Sequence, residues 1–94
     1  MEITVRLATA LARHADNRKV IACELERGND LSALTDMLDK EFPSIKALIC
    51  GKENEIHDNL NIYVNGDNVR YLEGLNTGLK EGDVVNIIPA AAAG

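Results

Sequence analysis

The residues whose types and order could do chemistry are few, and the clearest set lies at one end. Behind Pro89 the sequence runs Ala90-Ala91-Ala92-Ala93-Gly94. Side chains no larger than a methyl let a backbone thread a narrow channel, and glycine permits any φ beside a terminal carbonyl. Fully extended, the five residues after Pro89 reach about 16–18 Å. That reach would place the Gly94 carboxylate inside another protein's active site. The same composition reads equally as a frayed alanine-rich terminus. In either case 90–94 is expected to be a flexible tail on a body spanning 1–89.

The body offers little else. His14 and His57 are isolated, each in a polar loop, and no serine sits at a sharp strand-to-helix turn. Cys23 and Cys50 are distant in sequence, each within an apolar stretch. They read as small buried hydrophobes of a reducing compartment. Metal ligands are too few and too dispersed for zinc, and two distant cysteines cannot hold an iron–sulfur cluster. Gly74-Leu-Asn-Thr-Gly78 has no Lys-Ser/Thr after it and is not a phosphate loop. Asp36, Asp39 and Glu41 form a solvated helix face. The body is therefore expected to carry no catalytic residue, metal or cofactor.

Ninety-four residues fill one domain with room for a helix on a sheet. The net charge is −5, with basic residues scattered, and Phe42, Tyr63 and Tyr71 are the only aromatics. Neither a phosphate-binding patch nor a row of stacking rings can be assembled from these, so nucleic acid is not an expected partner. An acidic surface suits docking to a basic protein. The start Met-Glu-Ile-Thr-Val-Arg lacks the features of a signal peptide, and no apolar stretch approaches membrane-spanning length. The expected location is cytoplasmic, off the membrane.

Five strands and a helix must position the tail. Ile3, Val5 and Leu7 alternate with polar residues as a half-buried strand. The polar run His14 to Lys19 turns the chain into a second strand, Val20 to Leu25. Gly28-Asn29-Asp30 offers a helix N-cap. Leu31, Leu34, Leu38 and Phe42 then recur at helical spacing until Pro43 stops the helix. Ile45 to Cys50 suits a short further helical turn. Leu60, Ile62 and Val64 alternate up to Asn65-Gly66, the strongest short hairpin signal. A return strand around Val69 to Leu72 is predicted, and Val84 to Ile88 makes the last strand. The order β-β-α-β-β-β is an α+β layer of helix on sheet.

Asn61-Ile-Tyr-Val-Asn-Gly-Asp-Asn-Val-Arg70, followed by Gly82-Asp83-Val-Val-Asn-Ile-Ile-Pro-Ala-Ala-Ala-Ala-Gly94, resembles the MoaD/ThiS family of ubiquitin-like sulfur carriers. The likeness is greatest to its cysteine-biosynthesis branch, then to the molybdopterin synthase small subunit. It implies a β-grasp fold, with a mixed sheet crossed by one main helix. It also implies a cycle in which an E1-like enzyme adenylates the Gly94 carboxylate with ATP. Sulfur then displaces AMP to leave a thiocarboxylate, and a sulfur-accepting synthase consumes it. The catalytic side chains would belong to those partners, with the chain a monomer alone and a hetero-oligomer when docked. Pro89, Ala90, Ala91, Ala92 and Ala93 would occupy the partner's channel. Family members end in Gly-Gly, whereas the penultimate residue here is Ala93. Docking through an apolar patch at the tail root would use Ile88, and Tyr63 secondarily; Ile88 could instead cap the core. A protein modifier joined to lysines through the same terminus, or an interaction module with an idle tail, fits the same residues.

Overall fold

The computed structural model describes residues 1–90. Five strands form one sheet: β1 (Glu2–Leu7), β2 (Val20–Glu24), β3 (Leu60–Val64), β4 (Asp67–Asn68) and β5 (Val84–Pro89). Their spatial order is β2-β1-β5-β3-β4. The first and last strands lie side by side and parallel at the centre, while the other pairings are antiparallel. The main helix, α2 (Leu31–Glu41), crosses one face of the sheet. This is the α+β layer that the residue pattern predicts, and its mixed sheet is the β-grasp arrangement that the resemblance implies.

Periodicity explains the layering. Ile3, Val5, Ile21, Ile62, Val85 and Ile87 all point to one face of the sheet and are essentially inaccessible. Leu31, Leu34 and Leu38 bring the apolar stripe of α2 into the same cluster. Asp30 caps the helix by accepting the Ala33 amide at 3.0 Å. Phe42 N–H makes the last helical bond, to Leu38 O, before Pro43 stops the helix. A short α3 (Ile45–Ile49) follows, as expected.

Two features differ from the sequence reading. The connection from β1 to β2 contains a four-residue helix, α1 (Thr9–Ala12), that buries Leu11 and Ala12. The predicted return strand at Val69–Leu72 is displaced. Only Asp67 and Asn68 pair with β3, and Val69–Tyr71 forms a 3-10 turn. Two polar groups divert the chain. Asn68 Oδ1 accepts the Arg70 amide at 2.9 Å, closing a local turn that competes with the ladder. The Arg70 guanidinium then donates to the carbonyls of His57 and Leu60 at 2.7 and 2.6 Å. Val69 is left buried.

The β3–β4 hairpin also holds the entry to the last strand. Asn65 and Gly66 adopt φ of 51° and 92°, the left-handed pair that a tight hairpin needs. Asn65 then reaches across to β5: its Oδ1 accepts the Val84 amide at 2.9 Å, and its Nδ2 donates to Asp83 Oδ1 at 2.8 Å. Asp83 is buried, and its second oxygen accepts the Lys80 amide at 2.7 Å. Asp83→Ala leaves two donors without their acceptor, so it is expected to cost about 2–3 kcal/mol. The urea midpoint should fall at unchanged slope. Asp83→Asn keeps one acceptor oxygen and should lose less.

Candidate functional site

The sequence offers the Gly94 carboxylate as the working group, so the site begins with the strand that leads to the tail. β5 is held on both sides, by β1 from Thr4↔Val84 to Leu7↔Ile87 and by β3 from Val64↔Val85 to Leu60↔Pro89. Its apolar side chains Val85 and Ile87 anchor it in the core. At the far end the Ala8 amide donates to Ile87 O at 3.2 Å, and there β1 gives way to α1. Pro89 has no N–H to give. Among the described residues the Ala90 amide makes the last tie, to Asn59 O at 2.8 Å. The chain thus leaves the sheet from a central strand, at the edge where β1 ends and β3 begins. Ala91, Ala92, Ala93 and Gly94 lie outside the described residues.

Arg70 braces this root from below. Besides the carbonyls of His57 and Leu60, its Nε lies 3.4 Å from Asn61 Oδ1. Leu60 is the register partner of Pro89, and Asn61 that of Ile88. The guanidinium therefore fixes the start of the strand that guides the tail. The sequence shows an arginine after a hairpin but gives no sign of this grip, because its acceptors are carbonyls up to 13 positions upstream.

The outer sheet face carries both predicted docking residues. Asn86 is half-buried there and Ile88 is 37% exposed. Tyr63, also half-buried, stands opposite Asn86 on β3. Since Ile88 is the next outward residue along β5, it and Tyr63 are diagonal neighbours on one face.

The remaining candidates stay apart. His14 is exposed in the turn before β2. The His57 ring nitrogen Nε2 lies 3.0 Å from Ala47 O, and the His57 amide donates to Ile49 O. Among the described residues no group of three or more His, Cys, Asp or Glu side chains could hold a metal ion. No helix among them is long and apolar enough to cross a membrane.

Both cysteines are free thiols in the core. Burial pushes the Cys23 thiol up, with Glu41 adding to the shift and Arg18 opposing it. Burial likewise raises Cys50, against the pull of Lys46. Neither is poised as a thiolate nucleophile. Both thiols should resist a disulfide reagent at neutral pH in the native protein and react at once in denaturant. The folded state favours the neutral thiol, so this contribution to stability is complete below the ordinary thiol pKa. It is lost as pH rises through the raised folded values. Denaturant melts should record that decline on the alkaline side, and Cys23→Ala/Cys50→Ala should flatten it.

With this geometry in place, comparison with known proteins is direct. Residues 9–94 match the ThiS family. The chain is 32% identical over 96 aligned residues to the sulfur carrier protein CysO of Mycobacterium tuberculosis, covering 100% of both. It is similar to a chain in the crystal structure of the Amycolatopsis orientalis BexX/CysO complex, with TM-score 0.85 and 32% identity, covering 98% of this chain and 99% of that one. A third similarity is to the small archaeal modifier protein 1 of Methanosarcina acetivorans, with TM-score 0.80 and 29% identity over 99% and 96% of the two chains. The match runs from α1 through the central strand and on to Gly94, and the chain belongs to the ThiS family.

Proposed function

We propose that this protein is a sulfur carrier whose working group is the Gly94 carboxylate, and that it acts as a substrate of partner enzymes. The observation that carries this reading is the exit of β5. A central strand, clamped on both sides, hands on a slim tail directly beside an exposed isoleucine. A rigid root with a narrow extension is the shape needed to dock a body outside an active site while the terminus enters it. Membership of the ThiS family and likeness to CysO agree with that use.

The chemistry follows from what a carboxylate lacks. It is a poor acyl donor because its leaving group would be an oxide. An E1-like enzyme binds ATP, and a Gly94 carboxylate oxygen attacks the α-phosphorus, breaking the bond to pyrophosphate. The resulting acyl-adenylate has a good leaving group. Hydrosulfide adds to the carbonyl carbon, the carbon–oxygen bond breaks, and AMP departs with the electron pair. A thiocarboxylate remains on Gly94, and a sulfur-accepting synthase of cysteine, molybdopterin or related biosynthesis consumes it. Pro89, Ala90, Ala91, Ala92 and Ala93 occupy the partner's channel, while Ile88, flanked by Tyr63, meets its outer wall. Ala93 restricts φ to negative values at modest cost, which an extended tail tolerates.

ATP–pyrophosphate exchange by the activating enzyme of the source organism tests this reading. Exchange that depends on added carrier supports it, and a rate indifferent to the carrier contradicts it. Likeness to the small archaeal modifier protein 1 favours one second reading, conjugation of the activated terminus to lysines. Ladders of conjugates in source-cell extracts would support it.

A further inference from the structure

Beside the tail root, on the outer face, an open cleft of about 360 Å³ is lined by Arg6, Lys19, Val20, Asn86 and Ile88, with Leu7 and Ala8 at its end. Arg6 stands in register between Val20 on β2 and Asn86 on β5. Val20 is 53% exposed and Ile88 37%, so two aliphatic side chains face solvent across the arginine. Carboxylates line the depressions elsewhere on the molecule. Glu53, Glu55 and Glu73 border one, and Glu24, Glu26 and Asp36 another. Among the described residues no carboxylate lines this cleft. The ion pairs among the described residues are Met1 with Glu24 and Lys46 with Asp36, so Arg6 and Lys19 are in neither. A chain of net charge −5 thus keeps beside the tail root two cations that no described carboxylate pairs.

We propose that this cleft is the charge-selective part of the docking surface for the activating enzyme. It takes an enzyme surface that offers an apolar side chain between Val20 and Ile88 and carboxylates to Arg6 and Lys19. This rests on the carrier reading above and adds the sign of the partner's surface. It opposes the simplest inference from net charge, that the partner is basic. Because the cations adjoin the tail root, pairing them orients the body so that Pro89 and Ala90 point into the enzyme. Charge at such a rim acts on encounter and register more than on the chemical step.

The test is ATP–pyrophosphate exchange with the source organism's activating enzyme, using wild-type carrier, Arg6→Glu/Lys19→Glu, and a control, Arg27→Glu, in the exposed turn beyond the opposite end of β2. At low salt the double variant should raise the apparent KM for carrier by about tenfold or more with kcat held. The gap should narrow as salt screens the charges. The control should stay near wild type, and equal thermal melts of all three exclude loss of fold. An unchanged KM in the double variant overturns the proposal while leaving the carrier reading intact. A carrier-independent rate for wild type overturns both. A lowered KM, as expected if the cleft held the chain's own terminal carboxylate, also overturns it. So does a wild-type dimer in sedimentation that the double variant dissociates.

Discussion

Deletion of Gly94 alone is expected to abolish carrier-dependent ATP–pyrophosphate exchange while leaving the thermal melt unchanged. Among the described residues the Ala90 amide makes the last tie, and the core cluster is built entirely from residues before it. Removing the last residue therefore takes nothing from that core cluster. It draws the carboxylate back by about 3.5 Å, and misplacing a reacting group by even about 1 Å can cost about a hundredfold. A shift of a full residue should leave exchange at the level of enzyme without carrier. Substantial exchange by the shortened chain would mean that the enzyme engages something other than this terminus.

The second large effect is on stability. Leu34 is fully buried at the centre of the α2 stripe, against the sheet core that anchors β5. Leu34→Ala should cost about 3–5 kcal/mol, the transfer free energy of the lost atoms plus the cavity they leave. A domain of 94 residues has only about 5–14 kcal/mol in total. The variant should therefore lose about a fifth or more of its urea midpoint with the slope unchanged. Under conditions where it remains folded, it should still support exchange, since the fully buried Leu34 presents nothing to a docking partner. A loss under about 1 kcal/mol would contradict the packing of α2 on the sheet.

Much of the fold was legible because local signals agreed with global ones. Ile3, Val5 and Leu7 alternate because one face of β1 is covered, and Asn65-Gly66 takes the left-handed pair that its residue types allow. Asp30 was legible as a cap for the same reason. What escaped depended on short or distant interactions. α1 spans four residues, too few for a period to show. The turn at Val69–Tyr71 replaces a strand because Arg70 finds carbonyls upstream, and nothing near Arg70 announces them. At the site, strand alternation placed Ile88 outward beside the tail. The cluster of Arg6, Lys19 and Val20 next to it requires β1 to lie parallel to β5, which no local pattern reveals.

The central claim is that Gly94 becomes a thiocarboxylate, and intact mass measures this directly. The carrier is incubated with the source organism's activating enzyme, ATP and sulfide, and weighed against the untreated chain. A product heavier by the difference between one sulfur and one oxygen atom is the predicted result; it should vanish when ATP is withheld or Gly94 is deleted. A single unmodified mass with active enzyme and ATP present would contradict the account.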